Sequence, residues 1–118
     1  SNKIVTIENL DELAPHLERL SLAKNRIRHI SGLENLTNLT FLTLQCNKLD
    51  KIEGLETLVN LKELYLSQNF IQKMEGFEKL TKLEILDVAH NKIKKIECIE
   101  TLSELTDLWL NNNEITSL

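Results

Sequence analysis

The sequence is poor in the residues that usually fill a protein core or interrupt its backbone. Its 118 residues include five aromatic side chains, three glycines, one proline and two cysteines. Aromatic side chains supply much of the buried area of a globular core, so their scarcity predicts a core made almost wholly of aliphatic residues. Two free thiols fit a reducing compartment, and we therefore expect a nuclear or cytoplasmic protein.

Long apolar runs and a strong charge of either sign are also missing. The net charge is −4 and the pI is about 5.4, which argues against a nucleic-acid partner. No stretch approaches the roughly 18 apolar residues of a membrane span, so we expect no membrane partner either. The chain has no signal-peptide pattern and no initiator Met. Its length predicts a single domain, residues 1–118.

What the sequence does contain is an internal repeat. Asparagines recur every 22 residues, and the same apolar positions recur around each of them. These five asparagines are Asn25, Asn47, Asn69, Asn91 and Asn113. The period divides the chain into a partial repeat 1–16, the full repeats 17–38, 39–60, 61–82 and 83–104, and a partial repeat 105–118. Four consecutive repeats keep this register without an insertion.

The spacing of the leucines within one repeat predicts its local structure. In Leu39, Leu42 and Leu44 the last two are two residues apart, which is the alternation of a β-strand. Leu55 and Leu58 are three apart, which suits a helical turn. We therefore predict an α/β solenoid. Its concave face should be a parallel sheet of about five short strands, and its convex side should consist of helical or 3₁₀ turns. No repeat could bury its apolar face alone.

Two polar or backbone features accompany the leucines. The repeated asparagine must form hydrogen bonds if it is buried, and its amide can bond the backbone of its own turn and of the next repeat. Gly32, Gly54 and Gly76 open the predicted helical segment, either as a cap or as residues at positive φ. Cys98 breaks this series, so its position either tolerates a side chain or holds a strained backbone.

The two ends of the sequence differ from the central repeats. Residues Asn2 to Leu13 resemble the second half of a repeat, with one extra residue near Pro15, and the last repeat stops at Leu118. Neither end has the polar capping element that solenoids need. We therefore expect a fragment of a longer repeat protein, with frayed ends at Ile4 and Leu118.

Residues between the strand leucines should point onto the concave face. One column holds Arg19, Phe41, Glu63, Ile85 and Asp107, and the next holds Ser21, Thr43, Tyr65, Asp87 and Trp109. Three of the five aromatic residues lie in these columns although the core positions are already filled. Exposed aromatics beside charges are typical of binding hot spots, whereas scattered exposed apolar residues are normal. We favour a partner-binding face made of Phe41, Glu63, Tyr65, Ile85, Asp87, His90, Asp107 and Trp109.

Charged residues also form columns on the other sides of the repeat. Carboxylates recur in the first turn of each predicted helical segment, where the local dipole favours them. A basic column of His29, Lys51, Lys73 and Lys95 lies nearby. We interpret both as solvated faces, with a docking role as the alternative.

Catalytic constellations are missing. The three glycines are 22 residues apart, so they form no phosphate-binding loop, and neither a Gly-x-Ser-x-Gly elbow nor a His-Glu-x-x-His helix occurs. Cys46 and His90 share a column but lie two repeats apart, about 10 Å by strand spacing. Zinc ligands must all come within about 2.0–2.3 Å of the ion. We expect no enzyme, no metal, no cofactor and no small-molecule substrate.

The repeat unit Leu-x-x-Leu-x-Leu-x-x-Asn-x-Ile-x-x-Ile-x-Gly-Leu-Glu-x-Leu resembles that of the short, cytosolic leucine-rich-repeat subfamily. Within it, residues 36–113 are similar to the leucine-rich-repeat regulatory subunits of protein phosphatase 1. The similarity lies in Lys-Ile-Glu-Gly-Leu (51–55), Leu-Val-Asn-Leu (58–61), Glu-Leu-Tyr-Leu-Ser (63–67) and Lys-Ile-Lys-Lys-Ile-Glu (92–97).

This resemblance implies a partner, the catalytic subunit of protein phosphatase 1. It also implies that acidic and aromatic side chains of the concave strands make the contact, and Trp109, Asp107 and Asp87 match such positions. Ser21 departs from the family, whose residue there is aromatic. The alternative hypotheses are an adaptor of the same subfamily, such as an axonemal dynein light chain or a ciliary scaffold, and a structural repeat without a specific partner.

Overall fold

The chain forms a solenoid in a computed structural model, which describes residues 14–116. The predicted partial repeat from Asn2 to Leu13 and the ends at Ile4 and Leu118, where fraying was expected, lie outside the described residues. Five short strands follow one another along the chain. They are β1 (Arg19–Ser21), β2 (Phe41–Thr43), β3 (Glu63–Tyr65), β4 (Ile85–Asp87) and β5 (Asp107–Trp109).

These strands form one parallel sheet in which sequence order is also spatial order, β1-β2-β3-β4-β5. Each residue pairs with the residue 22 positions later, so that Leu20, Leu42 and Leu64 face one another in register. The repeat length therefore sets the register, and each connection is long enough for a parallel crossover. The predicted fold class is confirmed.

The core consists of stacked aliphatic columns from successive repeats. Leu42, Leu64 and Leu86 in the strands are fully buried, as are the isoleucines and leucines of the return segments. Phe77 is the one aromatic residue of the buried core in the described part of the chain. This agrees with the aliphatic core expected from the composition. The strand residues on either side of each leucine are left on the opposite, concave face.

The repeated asparagines follow each strand; Asn25, Asn47, Asn69 and Asn91 are buried and Asn113 is half-buried. Nδ2 of Asn47 donates to the carbonyl of Leu44 in its own repeat at 2.9 Å and to that of Leu22 at 3.0 Å. Its Oδ1 accepts from the backbone N–H of Ile27 at 3.0 Å. Asn69 and Asn91 repeat this pattern. The bonds between repeats thus reach the preceding repeat, not the next one as expected.

No buried side-chain nitrogen or oxygen lacks a hydrogen-bond partner within residues 14–116. The asparagine amides also satisfy backbone groups that the short strands leave unpaired. Strands of only three residues therefore suffice, because the asparagine amides pair backbone groups that would otherwise be left unpaired at the core.

The convex side differs in detail from the expectation, because residues 14–116 contain no helix. The N–H of Leu36 bonds the carbonyl of Leu33 at 3.0 Å, and the N–H of Leu39 bonds that of Leu36 at 3.1 Å. These turns follow end to end, whereas a 3₁₀-helix needs overlapping turns that begin at successive residues. The leucine spacing of three is thus produced by separate turns. No helix of the described residues is long and apolar enough to cross a membrane.

Each full repeat has two residues in the left-handed backbone region. The convex turn has Gly32, Gly54 and Gly76 at φ of 76°, 71° and 85°, and then Cys98 at 63°. The turn before each buried asparagine, which we call the inner turn, has non-glycine residues at φ of 55–60°. These are Lys24, Cys46, Gln68, His90 and Asn112. The sequence predicted the first set as one of two possibilities and did not indicate the second.

Candidate partner-binding face

The concave face is formed by the strand residues on either side of the buried leucines. The first column holds Arg19, Phe41, Glu63, Ile85 and Asp107, of which the two end residues are exposed and the others half-buried. In the second column Trp109 is 45% exposed, whereas Thr43 and Asp87 are buried. The exposure of the side chains therefore varies along the concave face.

Four of these side chains form a continuous row across the sheet, which we call the aromatic strip: Arg19, Phe41, Tyr65 and Trp109. The Arg19 guanidinium carbon lies 4.0 Å from the Phe41 ring centroid, within the range of a cation–π contact. The ring centroids of Phe41 and Tyr65 are 5.4 Å apart, and those of Tyr65 and Trp109 are 6.3 Å apart. All three rings are tilted, as aromatic pairs prefer.

Tyr65 is the centre of this strip and is fixed by a carboxylate. Its hydroxyl donates to Oε1 of Glu63 at 2.6 Å, within the same strand. Burial, then the hydrogen bond and the negative charge of Glu63, raise the pKa of Tyr65 to about 12. The phenol therefore remains protonated under physiological conditions and keeps its position as a hydrogen-bond donor.

Asp87 occupies a different setting from the one expected. It pairs in register with Tyr65 on one side and Trp109 on the other, and only 6% of it is exposed. The two rings lean toward each other from strands about 10 Å apart and cover the smaller residue between them. Asp87 is thus covered in the free chain, and its assignment to the partner-binding face stays a prediction.

The buried carboxylate of Asp87 is held by the turn that follows its strand. Oδ1 accepts from the backbone N–H of Ala89 at 3.0 Å, and the Ser67 side chain also bonds it. Burial raises the pKa of Asp87, while these two bonds and the nearby charge of His90 oppose the rise. Asp87 therefore supports the concave face from beneath the Tyr65 and Trp109 rings.

The remaining predicted residues lie at the margins of the strip. In the first column, half-buried Ile85 pairs with Glu63 on one side and with exposed Asp107 on the other. His90 belongs to the inner turn, where it is exposed and its Nε2 lies 3.2 Å from Nδ2 of Asn112. The sequence analysis placed Arg19 in the first column but did not include it among the binding residues. Its position next to Phe41 in that column could have indicated its role.

The described residues offer little to catalysis. No group of three or more His, Cys, Asp or Glu that could hold a metal ion occurs within residues 14–116. Both cysteines are free and partly buried. Burial and the charges of Glu78, Glu97 and Glu100 raise the pKa of Cys98, which disfavours the nucleophilic thiolate. The face offers shape, aromatic surface and charge, which are means of recognition.

Three comparisons relate the chain to known proteins. A family model described as "Leucine Rich repeats (2 copies)" matches residues 15–57 and again residues 59–100, well over half of the chain. No curated protein is similar enough to count as a match.

Solved structures of bacterial proteins share the fold. Internalin C2 of Listeria monocytogenes is 29% identical with a TM-score of 0.82, and the alignment covers 92% of this chain and 49% of the internalin. A Leptospira interrogans leucine-rich-repeat protein is 29% identical with a TM-score of 0.84, at 92% and 29% coverage. Internalin F of L. monocytogenes is 27% identical with a TM-score of 0.60, at 95% and 44% coverage.

The chain thus spans at most about half the length of these structures. The TM-scores show that these structures share the fold described above, and the two matches of the family model begin 44 residues apart, which is two repeats of 22. Leucine-rich-repeat proteins act as protein–protein interaction modules, and their fold relatives are typically not enzymes. This chain belongs to the leucine-rich-repeat family.

Proposed function

We propose that this chain binds a protein partner through the aromatic strip of its concave face, and that the partner is the catalytic subunit of protein phosphatase 1. The observation that carries the proposal is the strip itself. Three rings and a guanidinium form one contiguous row outside the core, with Trp109 45% exposed at its end. Trp, Tyr and Arg are enriched among the few hot-spot residues that dominate the binding energy of protein interfaces.

Preorganisation supports a binding role for these residues. Tyr65 is held by Glu63, Phe41 is held by Arg19, and Asp87 fills the space beneath Tyr65 and Trp109. Side chains that are already fixed lose less conformational entropy when a partner arrives. The sheet below them has one register throughout, because successive strands pair at a constant offset of 22 residues.

The choice of phosphatase is based on the resemblance of residues 36–113 to the regulatory subunits of protein phosphatase 1, specifically to regulatory subunit 7. Asp107 and Trp109 match contact positions of that family and lie next to each other at the end of the strip. A nuclear or cytoplasmic location belongs to the same proposal.

Calorimetry with the purified phosphatase catalytic subunit tests both parts. Trp109→Ala should weaken binding by about 2 kcal/mol or more, because it removes the most exposed ring of the strip. Val59→Ala is the matched control, since Val59 is 46% exposed but lies outside the concave strands. It should leave the affinity unchanged.

The outcomes separate the two parts of the proposal. Equal affinity for the Trp109 and Val59 variants would refute the concave site. Failure of the unaltered chain to bind the phosphatase would refute the choice of partner. Binding of purified axonemal motor components, lost in the Trp109 variant, would then support the adaptor alternative.

A further inference from the structure

Positive charge is concentrated in the segments that follow each strand, outside the two concave columns. The four segments 24–29, 46–51, 68–73 and 90–95 contain nine of the 14 Lys and Arg residues but only one of the 18 Asp and Glu residues. The chain as a whole carries −4, so these segments have the opposite sign to the rest of the molecule. We call the exposed residues of these segments the basic flank.

The basic flank is a regular surface because a backbone bond joins each repeat to the one before it there. The N–H of Lys48 bonds the carbonyl of Ile27 at 2.9 Å, and that of Lys92 bonds Ile71 at 2.8 Å. Between them, the N–H of Phe70 bonds the carbonyl of Leu49 at 2.7 Å. The cationic residues of the basic flank are all exposed. They are Lys24, Arg26, Arg28, Lys48, Lys51, Lys73, Lys92, Lys94 and Lys95.

Few of these cations are neutralised by the chain itself. Lys92 lies 3.8 Å from Glu114, and His29 of the same surface lies 3.4 Å from Glu53. The other lysines and arginines of the flank form no ion pair within 4.0 Å with any residue of the described range 14–116. The flank therefore retains positive charge that a partner could complement.

An exposed aromatic residue lies within this surface. Phe70 is 46% exposed, and the Lys48 ammonium lies 5.9 Å from its ring centroid. Phe70 occupies the column of Arg26, Lys48 and Lys92 and takes no part in the core. An apolar side chain among cations matches a ligand that carries both negative charge and at least one apolar group.

The shape of the basic flank restricts that ligand further. Glu53, Glu75 and Glu97 border it two residues after the column Lys51, Lys73 and Lys95. The positive area is consequently a narrow band that runs across the repeats. A broad polyanion, such as an anionic bilayer or a nucleic-acid duplex, would also meet this acidic border. A single extended peptide can follow such a band without meeting the acidic border.

We propose that the basic flank is a second docking site, which binds an acidic peptide segment of a protein partner and places an apolar side chain of that segment on Phe70. The negative net charge of the chain repels acidic peptides in general, so binding has to be localised to this band. This site is separate from the aromatic strip, and the proposal does not depend on the identity of the concave partner.

The test uses a fluorescein-labelled peptide of Asp and Glu residues with one central Leu, and fluorescence anisotropy against the full chain. Reversing Lys51, Lys73 and Lys95 to Glu should weaken binding about tenfold or more, because three screened charge contacts become repulsive. The matched control reverses Lys62, Lys79 and Lys82, which are also exposed but lie outside the flank. It changes the net charge equally and should leave affinity within about twofold.

A second pair of variants tests the apolar contact. Phe70→Ser should weaken the binding of the Leu-containing peptide several-fold. It should not change the binding of a peptide that has Ser in place of Leu. Val59→Ser removes an equally exposed apolar residue elsewhere and should change neither. An equal loss of peptide affinity in the flank and control triple-lysine variants would overturn the site. Tighter binding of a single-stranded RNA or of anionic vesicles than of the peptide would overturn the choice of ligand.

Discussion

The convex turn and the inner turn of each repeat both contain a residue at positive φ, yet they accept different side chains. The inner turn uses Lys24, Cys46, Gln68, His90 and Asn112, whereas the convex turn uses three glycines before Cys98. A left-handed backbone costs a non-glycine residue about 1–2 kcal/mol wherever it occurs. This cost alone therefore does not explain why only one of the two turns selects glycine.

The difference is explained by what lies next to each turn. A Cβ atom at Gly54 would lie 2.6 Å from the carbonyl oxygen of Ile30 in the preceding repeat, and one at Gly76 would lie closer still to that of Ile52. The repeats approach each other through their backbones at the convex turn. The inner turn instead points its side chains outward, so residues such as His90 can vary there without disturbing the stack.

Gly76→Ala should have the largest effect on this comparison. The added Cβ meets backbone that cannot move without separating two repeats, in addition to the left-handed strain. We expect a loss of about 3 kcal/mol in the free energy of unfolding, measured by urea denaturation.

Gln68→Ala is the control in the same repeat. Gln68 already carries a Cβ at φ 58° and is exposed, so the change adds no strain. It removes only the exposed contact with Sγ of Cys46 and should cost about 1 kcal/mol or less. Because Gln68→Ala leaves the left-handed strain unchanged, a loss of no more than about 1–2 kcal/mol for Gly76→Ala is what strain alone would cause. Such a loss would show that this strain, and not the approach of the Ile52 carbonyl, selects glycine.

Cys98→Gly tests the same idea in the opposite direction with a smaller effect. Cys98 holds a side chain at φ 63° in the position where the earlier repeats have glycine. Relief of that strain should exceed the added entropy of the unfolded chain and raise stability by about 0.5–1 kcal/mol.

Cys46→Gly is the matched control for that substitution, because Cys46 is at φ 60° in the inner turn. It also relieves strain, but it removes the 2.6 Å contact between Sγ of Cys46 and Oε1 of Gln68. The gain should therefore be smaller than for Cys98→Gly in thermal or urea unfolding. An equal or larger gain would mean that the convex turn is no more constrained than the inner turn.

Much of the fold could be predicted from the sequence because the repeat supplies its own consistency check. The 22-residue spacing of Leu42, Leu64 and Leu86 sets both the sheet order and the register. The sequence could not show that the convex segments are separate turns and not helices, since both give a leucine spacing of three. The left-handed inner turn leaves no trace in residue type, because its side chains are free to differ.

The candidate site was predictable by column but not by exposure. Phe41, Tyr65 and Trp109 were found because a core that is already full has no place for them. The burial of Asp87 depends on two larger rings leaning over a smaller neighbour, which is a matter of rotamers across three strands. A column of residue types contains no information about that third dimension.

Asp87→Asn should have the smallest effect, and that effect should depend on pH. Because burial raises the pKa of Asp87 above 3.8, the folded chain binds this proton more tightly than the unfolded chain. The contribution to stability is fully present below pH 3.8 and is lost as pH rises through the raised folded value. The Asn variant has no such titration, but its Oδ1 can still accept from Ala89. Its stability relative to the unaltered chain should therefore increase from acid to neutral pH, as measured by urea unfolding at both.

Asp50→Asn, on the exposed basic flank, controls for the loss of one negative charge. A relative stability of Asp87→Asn that falls toward neutral pH would mean that the ionised carboxylate is favoured beneath the rings, and that the inner turn with His90 and Ala89 holds its charge more strongly than burial opposes it.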